Sequence, residues 1–322
     1  MESSSVAVFN DDSKSKIVSE FLFRTCRPLQ SNVITHQIMA AALCSGLPKH
    51  PSDNDQVDFV QLPTGSVAEF YIEPMLSCVG DVDIMRHRSD GLAVPRGYPP
   101  PTRLPAEFRG SVEVNEIIDS EYPRYVYLLL SYLLTECDDD GKYRADRQYD
   151  KRRFVTYDLR DHGSTRVEIH GPARTLRNTG EGWSFDFVSC ARCLSWPPQA
   201  AGWPTRHRRL HGWPDAATVD RVVSNGCDAV RVAHRLCRQD ELTGQTQWRL
   251  SFSRAEIILI NSWVPVQQIV YHMLRFFVKT ERLSDITDST GTEMLSNYHL
   301  KTLTLWACES KPNSWWTDDR KS

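Results

Sequence analysis

Residues 61–85, QLPTGSVAEFYIEPMLSCVGDVDIM, decide how this chain is to be read. They hold a Gly65-Ser66 turn and, further on, Asp81-Val82-Asp83 running into apolar Ile84 and Met85. In extended backbone the side chains alternate faces, which predicts Asp81 and Asp83 on one face of a strand and Val82 on the other. Two carboxylates held that close repel each other and lose solvation, and a cation beside them relieves both costs. Magnesium suits the role where phosphate oxygens supply the remaining ligands. A Gly-Ser turn offers bare N–H groups and one hydroxyl where a larger residue would block a phosphate. A DxD pair alone recurs by chance in acidic loops. GS and DVD within one hydrophobic stretch is a stronger signal, because turn and strand can close on the same ligand.

The surrounding chain is that of an ordinary globular protein. Its 322 residues suffice for two lobes with separate cores or one large bilobal unit. The hydrophobic share of 40% and charged share of 25% are typical of soluble domains. The longest apolar candidate, Val126 to Leu134, is too short for a membrane span and suits a buried helix or strand. MESSSVAVFNDDSKSK lacks a basic start joined to an apolar run, so no secretory signal and no membrane partner are expected, and the expected location is the cytoplasm or nucleus. Nine scattered cysteines, an odd number, fit a reducing compartment rather than a disulfide framework. Cys190-x-x-Cys193 is a lone pair whose partners would have to come from His207, His211, Cys227, His234 or Cys237. Buried small hydrophobes are the plainer reading, and no structural zinc is expected.

Along the chain, residues 1–12 read as disordered. Ile17 to Leu43 reads as one long helix with an irregularity near Pro28, or two helices, ended by Ser45-Gly46-Leu47-Pro48. The Pro-, Gly- and Arg-rich stretch from Asp83 to Glu107 predicts an irregular loop. Arg109–Ile118 and Thr165–His170 have strand character, and Tyr122–Glu136 reads as a helix. In GWSFDFV, 182–188, the aromatics alternate with Ser184, Asp186 and Val188, so Asp186 is expected opposite them on a strand. If that strand neighbours the DVD strand, Asp186 is a third carboxylate.

Leu194–Pro214, with four prolines and three tryptophans, reads as neither helix interior nor central strand, its rings serving as buried anchors. The remainder reads as mostly helical. One helix is expected in Ala216–Cys237, a capping box at Ser253-Arg254-Ala255-Glu256, a helix led by Pro265 and running to Arg282, and a last one over Leu295–Trp306.

The formal net charge of −3 argues against a protein coated for nucleic acid but leaves room for a local basic face. Ten Lys and Arg lie between Lys142 and Arg177. Lys151, Arg152 and Arg153, with Arg206, Arg208 and Arg209, either line a groove for a phosphate backbone or form a solvated surface balanced by nearby acids.

Five segments carry a family resemblance: TGSVAEF at 64–70, DVDIM at 81–85, FDFVSCARCLSWPPQAAGW at 185–203, WRLSFSRAE at 248–256 and SNYHLKTLTLWAC at 296–308. In this order they resemble the nucleotidyltransferases of the male-abnormal-21 family, which includes cyclic GMP-AMP synthase and the animal cyclic GMP-AMP synthase-like receptors. The resemblance implies an α+β, bilobal, polymerase-beta-like fold: a mixed-sheet core lobe with an N-terminal helix over 13–205 and a helical C-terminal lobe over 206–318. By the same resemblance Asp81, Asp83 and Asp186 are the metal ligands and catalytic residues, and Gly65 and Ser66 grip phosphate. Arg249, Ser251 and Ser253 face the nucleotide, and Tyr298 stacks on a base.

His272 and Arg275 fall where active relatives often place lysines against the triphosphate, and His272 is the more serious departure because its charge depends on its surroundings. Asp81 stands where many relatives have glutamate. Between Ser253 and Val266 there is neither cysteine nor histidine. The zinc-binding insertion of vertebrate cyclic GMP-AMP synthase is thus missing, and with it the expectation of DNA-specific activation. What the resemblance implies is a cyclic dinucleotide synthase using ATP and GTP with Mg²⁺ or Mn²⁺, an innate immune sensor activated by double-stranded RNA. The alternative is a catalytically inactive family member acting as an interaction or developmental regulator. Protein partners are not legible.

Overall fold

A computed structural model of the protein describes residues 59–65, 68, 81–137, 141–149, 153–155, 167–170, 173–178, 183–206, 212–237, 241–283 and 295–316. The expected disordered start, the Ile17–Leu43 helix and its Ser45–Pro48 stop, Ser66, Lys151, Arg152, Arg208, Arg209 and the side chain of Asp81 lie outside what is described.

The strand around which the rest is built is β2, Asp81–Pro95, 15 residues long. Its first half lies between β1, Phe59–Thr64, and β8, Trp183–Cys193; its second half pairs with β3, Val112–Asp119, along the edge that β1 has left. The irregular loop expected over Asp83–Glu107 is therefore corrected in its first half, where the chain stays extended to Pro95, and holds from Arg96 to Glu107. Gly91 and the polar residues near it fall at a register shift between His87 and Leu92, an interruption the strand absorbs.

Beyond β3 come β4, Tyr125–Glu136; β5, Tyr143–Arg147, paired to it; β6, Val167–His170; and β7, Ala173–Asn178. Two further strands, β9, Cys227–Val230, and β10, Gln247–Ser251, complete a ten-stranded sheet ordered β1-β2-β3-β4-β10-β9-β8-β7-β6, with β5 beside β4. Because β2 also pairs with β8, the pairings β2-β3-β4-β10-β9-β8 return to their start and form a closed circuit of six strands. Ala93, Ile117, Val126, Leu128, Cys193, Cys227, Ala229, Trp248 and Leu250 form one buried cluster drawn from all six.

The helix expected over Tyr122–Glu136 is a strand. YVYLLLSYLLTE satisfies a buried helix or a buried strand equally, and β3 on one side with β10 and β5 on the other decide for the strand. Val126, Leu128 and Leu130 are buried, as period two requires. Ala216–Cys237 likewise holds helix α1 only to Ser224. Asp215 caps α1 by accepting from Thr218 N–H at 2.7 Å. Gly226, at φ +64°, then turns the chain against Leu194 so closely that a Cβ there would sit 2.8 Å from the Leu194 carbonyl carbon, and the chain continues as β9. The 206–318 stretch thus supplies two sheet strands as well as helices.

The short helix α2, Glu241–Thr246, leads into β10. Helices α3, Ser253–Asn261, α4, Pro265–Thr280, and α5, Asn297–Ser310, follow, with Pro265 opening α4 as expected. They enclose a second cluster of Trp213, Val222, Ile260, Trp263, Tyr271, Leu300 and Cys308, and Trp196 and Trp203 from the proline-rich stretch pack onto it. The capping box at Ser253 is not formed. Ser253 is already inside α3, its Oγ lies 3.1 Å from Ser251 Oγ, and Glu256 accepts from Lys301 Nζ at 2.7 Å instead. Among the described residues no helix is long and apolar enough to cross a membrane.

Candidate active site

The register of β2 against β8 sets Asp83 beside Asp186 on adjacent parallel strands, and Asp81 beside Ser184. Laterally paired residues share a face, so the Asp83 and Asp186 side chains issue from the same side of the sheet. Phe187 is buried on the other side, as the alternation of GWSFDFV predicts. Thr175 of β7, paired with Asp186, donates its hydroxyl to Asp186 Oδ1 at 2.5 Å. Reading the sequence missed Thr175, because nothing near it in the chain marks it and only the β7–β8 pairing brings it to the carboxylate.

At the end of β1, Thr64 pairs with Asp83 and donates to the Asp83 carbonyl at 3.4 Å. Gly65 follows with φ +62°. A Cβ on Gly65 would overlap Asp83 Oδ2 and stand 2.9 Å from its Cγ. The turn is thus closed on the carboxylate, and only glycine fits by both space and backbone conformation. Gly65, Asp83 and Asp186 are the predicted residues that the structure brings together.

Arg249 and Ser251 alternate along β10, opposite Val230 and Asp228 of β9, and Asp228 in turn lies opposite Arg192 of β8, six residues beyond Asp186. The even spacings place Asp186, Arg192, Asp228 and Ser251 on one face of the sheet. Asp228, fully buried, accepts from Arg254 Nε at 2.8 Å and thereby fastens the first turn of α3 to that face. α3 also packs against β1, the strand that ends in the Gly65 turn. Arg192 donates to the Cys193, Cys227 and Asn225 carbonyls, and so ties the β8–β9 end together. This buried polar cluster was not foreseen, since Arg192, Asp228 and Arg254 are isolated charges in the sequence.

The other predicted contacts lie on the helices. His272 and Arg275 are on α4. Burial, with Arg275 adding to it, lowers the His272 pKa to about 4, so the imidazole is uncharged at neutral pH and does not replace a lysine. The Arg275 guanidinium stands 5.6 Å from the Tyr271 ring centroid. Tyr298, at the start of α5, is 54% exposed, which leaves its ring open to a planar partner. Of the basic candidates, Arg153 pairs with Glu113 at 3.6 Å, and Arg206 pairs with Glu309 at 3.3 Å while covering the Trp306 ring. Cys190 and Cys193, three apart on a strand, issue from opposite faces; Cys190 lies 3.8 Å from Asp228 Oδ1 and Cys193 is 3.2 Å from the Ser195 carbonyl. Burial raises the Cys190 thiol well above its ordinary range, in keeping with an inert core group.

A strand pair carrying opposed aspartates, a glycine turn closed on one of them and a helix fastened to the same face make up the candidate site. Residues 142–262 match the Mab-21 protein nucleotidyltransferase domain. The matched segment is the one that carries Asp186, Arg192, Asp228 and the β10–α3 junction, and over it the chain is similar to the Mab-21 nucleotidyltransferase domain.

Proposed function

We propose that the chain is a metal-dependent nucleotidyltransferase that joins ATP and GTP into a cyclic dinucleotide, with Asp81, Asp83 and Asp186 holding Mg²⁺ or Mn²⁺. The observation that carries this reading is Asp83 beside Asp186, with the Gly65 turn closed on Asp83. Paired carboxylate oxygens are hard donors suited to such a cation, and the missing Cβ of Gly65 lets the Asp83 carboxylate lie against the turn. When bound, the metal supplies charge neutralisation at the triphosphate and lowers the pKa of the attacking ribose hydroxyl.

The chain's own residues do the positioning. Thr175 holds the Asp186 carboxylate in one orientation. The Gly65-Ser66 turn presents N–H groups and a hydroxyl to phosphate. Arg249 and Ser251 face the nucleotide from β10, joined by Ser253, which lies beside Ser251. Tyr298 stacks on a base, and Arg275 supplies the cation that a neutral His272 does not.

In this reading the product is an innate immune signal and double-stranded RNA is the activator, bound along Lys151, Arg152, Arg153, Arg206, Arg208 and Arg209. Phosphates reaching Arg153 or Arg206 compete with Glu113 and Glu309 for them. The uncharged His272 favours a second reading, in which the fold is kept without catalysis and the chain acts through protein partners.

Incubating purified protein with labelled ATP and GTP, Mg²⁺ or Mn²⁺, and a panel of double-stranded RNAs and DNAs separates the two. A product made by the native chain and lost in both Asp83→Asn and Asp186→Asn supports the enzyme. No product with any ligand, together with unimpaired cellular function in Asp83→Asn, supports the second reading.

A further inference from the structure

At one end of the six-stranded circuit lies a cavity of about 310 Å³ that none of the residues above explains. That volume is at the small end for ligand pockets, and the mouth of a closed strand ring is a common place for one. Each strand of the circuit, or the residue that follows it, contributes to the lining: Arg86 from β2, Asn115 from β3, Leu130 from β4, Ser189 from β8, Arg231 after β9 and Trp248 from β10. Arg86 is three residues past Asp83, before the register shift in β2, so it projects from the opposite face of the sheet. The cavity and the carboxylate pair are therefore on opposite sides of one sheet.

The lining is cationic. Among the described residues Arg86, Arg88, Arg153 and Arg231 line it against one carboxylate, Glu113. Arg88 is held by Asp90 at 2.5 Å and Arg153 by Glu113 at 3.6 Å, both at the exposed rim. Arg86 is held differently. Its guanidinium lies between the Phe59 and Phe187 rings, 5.1 and 5.7 Å from their centroids, and its buried Nε has no hydrogen-bond partner among the described residues. Burial and the neighbouring Arg174 both push its pKa below the ordinary arginine value. Asn115 donates to the Leu92 carbonyl, but its buried Oδ1 has no partner among the described residues. A buried charged donor and a buried acceptor, both unsatisfied beside one cavity, are costly unless a ligand completes them.

We propose that this cavity binds a small phosphate ester, distinct from any nucleotide at the carboxylates. The phosphate oxygens accept from Arg86, with Arg153 and Arg231 adding charge, and Asn115 Oδ1 accepts from a hydroxyl or amino group on the body of the ester. Planar guanidinium groups suit phosphate oxygens, and aromatic walls exclude water from the pairing.

Isothermal titration calorimetry on the full chain, with chelator present to exclude divalent metal, tests it with AMP, ribose 5-phosphate and inorganic pyrophosphate as probes. The expected result is saturable binding of at least one ester, unchanged in Asp186→Asn and at least about tenfold weaker in Arg86→Gln, since a charge-assisted hydrogen bond is lost. Arg153→Glu, at an exposed position that folding tolerates, is expected to weaken binding at least about threefold, so the test stands even if Arg86→Gln does not fold. Asn115→Asp is expected to abolish it by placing a second carboxylate against the phosphate. Failure of both esters to bind at millimolar concentration overturns the proposal. So does binding of pyrophosphate alone, which leaves Asn115 without a role, or binding lost in Asp186→Asn but kept in Arg86→Gln and Arg153→Glu, which returns the ligand to the carboxylate face.

Discussion

Gly65 has little freedom. Gly65→Ala sets a methyl group onto the Asp83 carboxylate and forces a non-glycine residue to φ +62°. Strain of this kind costs about 1–3 kcal/mol. The variant is expected to unfold at lower urea concentration and to lose nucleotide transfer, as measured by equilibrium unfolding and product assay. His272 gives a pH signature. Its pKa of about 4 in the folded chain lies below the ordinary 6.5, with burial as the main cause and Arg275 second. Between those values the unfolded chain binds more protons, so stability is full above 6.5 and falls as pH drops toward 4. The loss is at most about 3 kcal/mol, at 1.36 kcal/mol per unit. His272→Gln is expected to remove that part of the acid sensitivity, seen by comparing urea midpoints at neutral and mildly acidic pH. These residues differ in legibility: Gly65 and Asp83 were marked by neighbours in the chain, whereas the neutrality of His272 comes from burial that no local pattern records.

At the scale of elements, the join between β9 and α3 is the most exposed to a single change. Removing one partner of a buried ion pair leaves the other charge uncompensated and costs about 3–5 kcal/mol. Asp228→Ala, which strands Arg254, is expected to destabilise by that amount in equilibrium unfolding, and Arg254→Met by a similar amount because it leaves the fully buried Asp228 carboxylate without this partner. Elements with a clear period or punctuation were well read: GWSFDFV and Arg109–Ile118 as strands and the Pro265 helix. β4 and β9 were not. Leu- and Tyr-rich β4 has no turn inside it and no period that excludes a helix, and β9 is four residues long and wholly buried. Both are strands because strands lie on either side of them.

At the scale of the molecule, the closed strand circuit makes β2, β3, β4, β8, β9 and β10 depend on one another, since no member can leave without opening the ring. Backbone amides of Ala93, Leu128, Ala229 and Leu250 are accordingly expected to exchange with solvent only through global unfolding, and to do so together. Amides in the last turn of α5 are expected to exchange by local fraying, at least about a hundredfold faster, in a native-state hydrogen-exchange series across denaturant. Separate exchange classes within the circuit would show that it does not open as one unit. The sequence by itself determined the chemistry that rests on near neighbours: the DVD alternation, the glycine turn, the aromatic strand carrying Asp186, and the order of family segments. Only the tertiary structure decided that Asp186 stands beside Asp83, that Thr175 holds it, that Arg254 is tied to Asp228, and that arginines far apart in the chain ring one cavity. Spacing along a chain sets which face a side chain takes, but strand register sets which distant residue it meets, and register is a property of the assembled sheet.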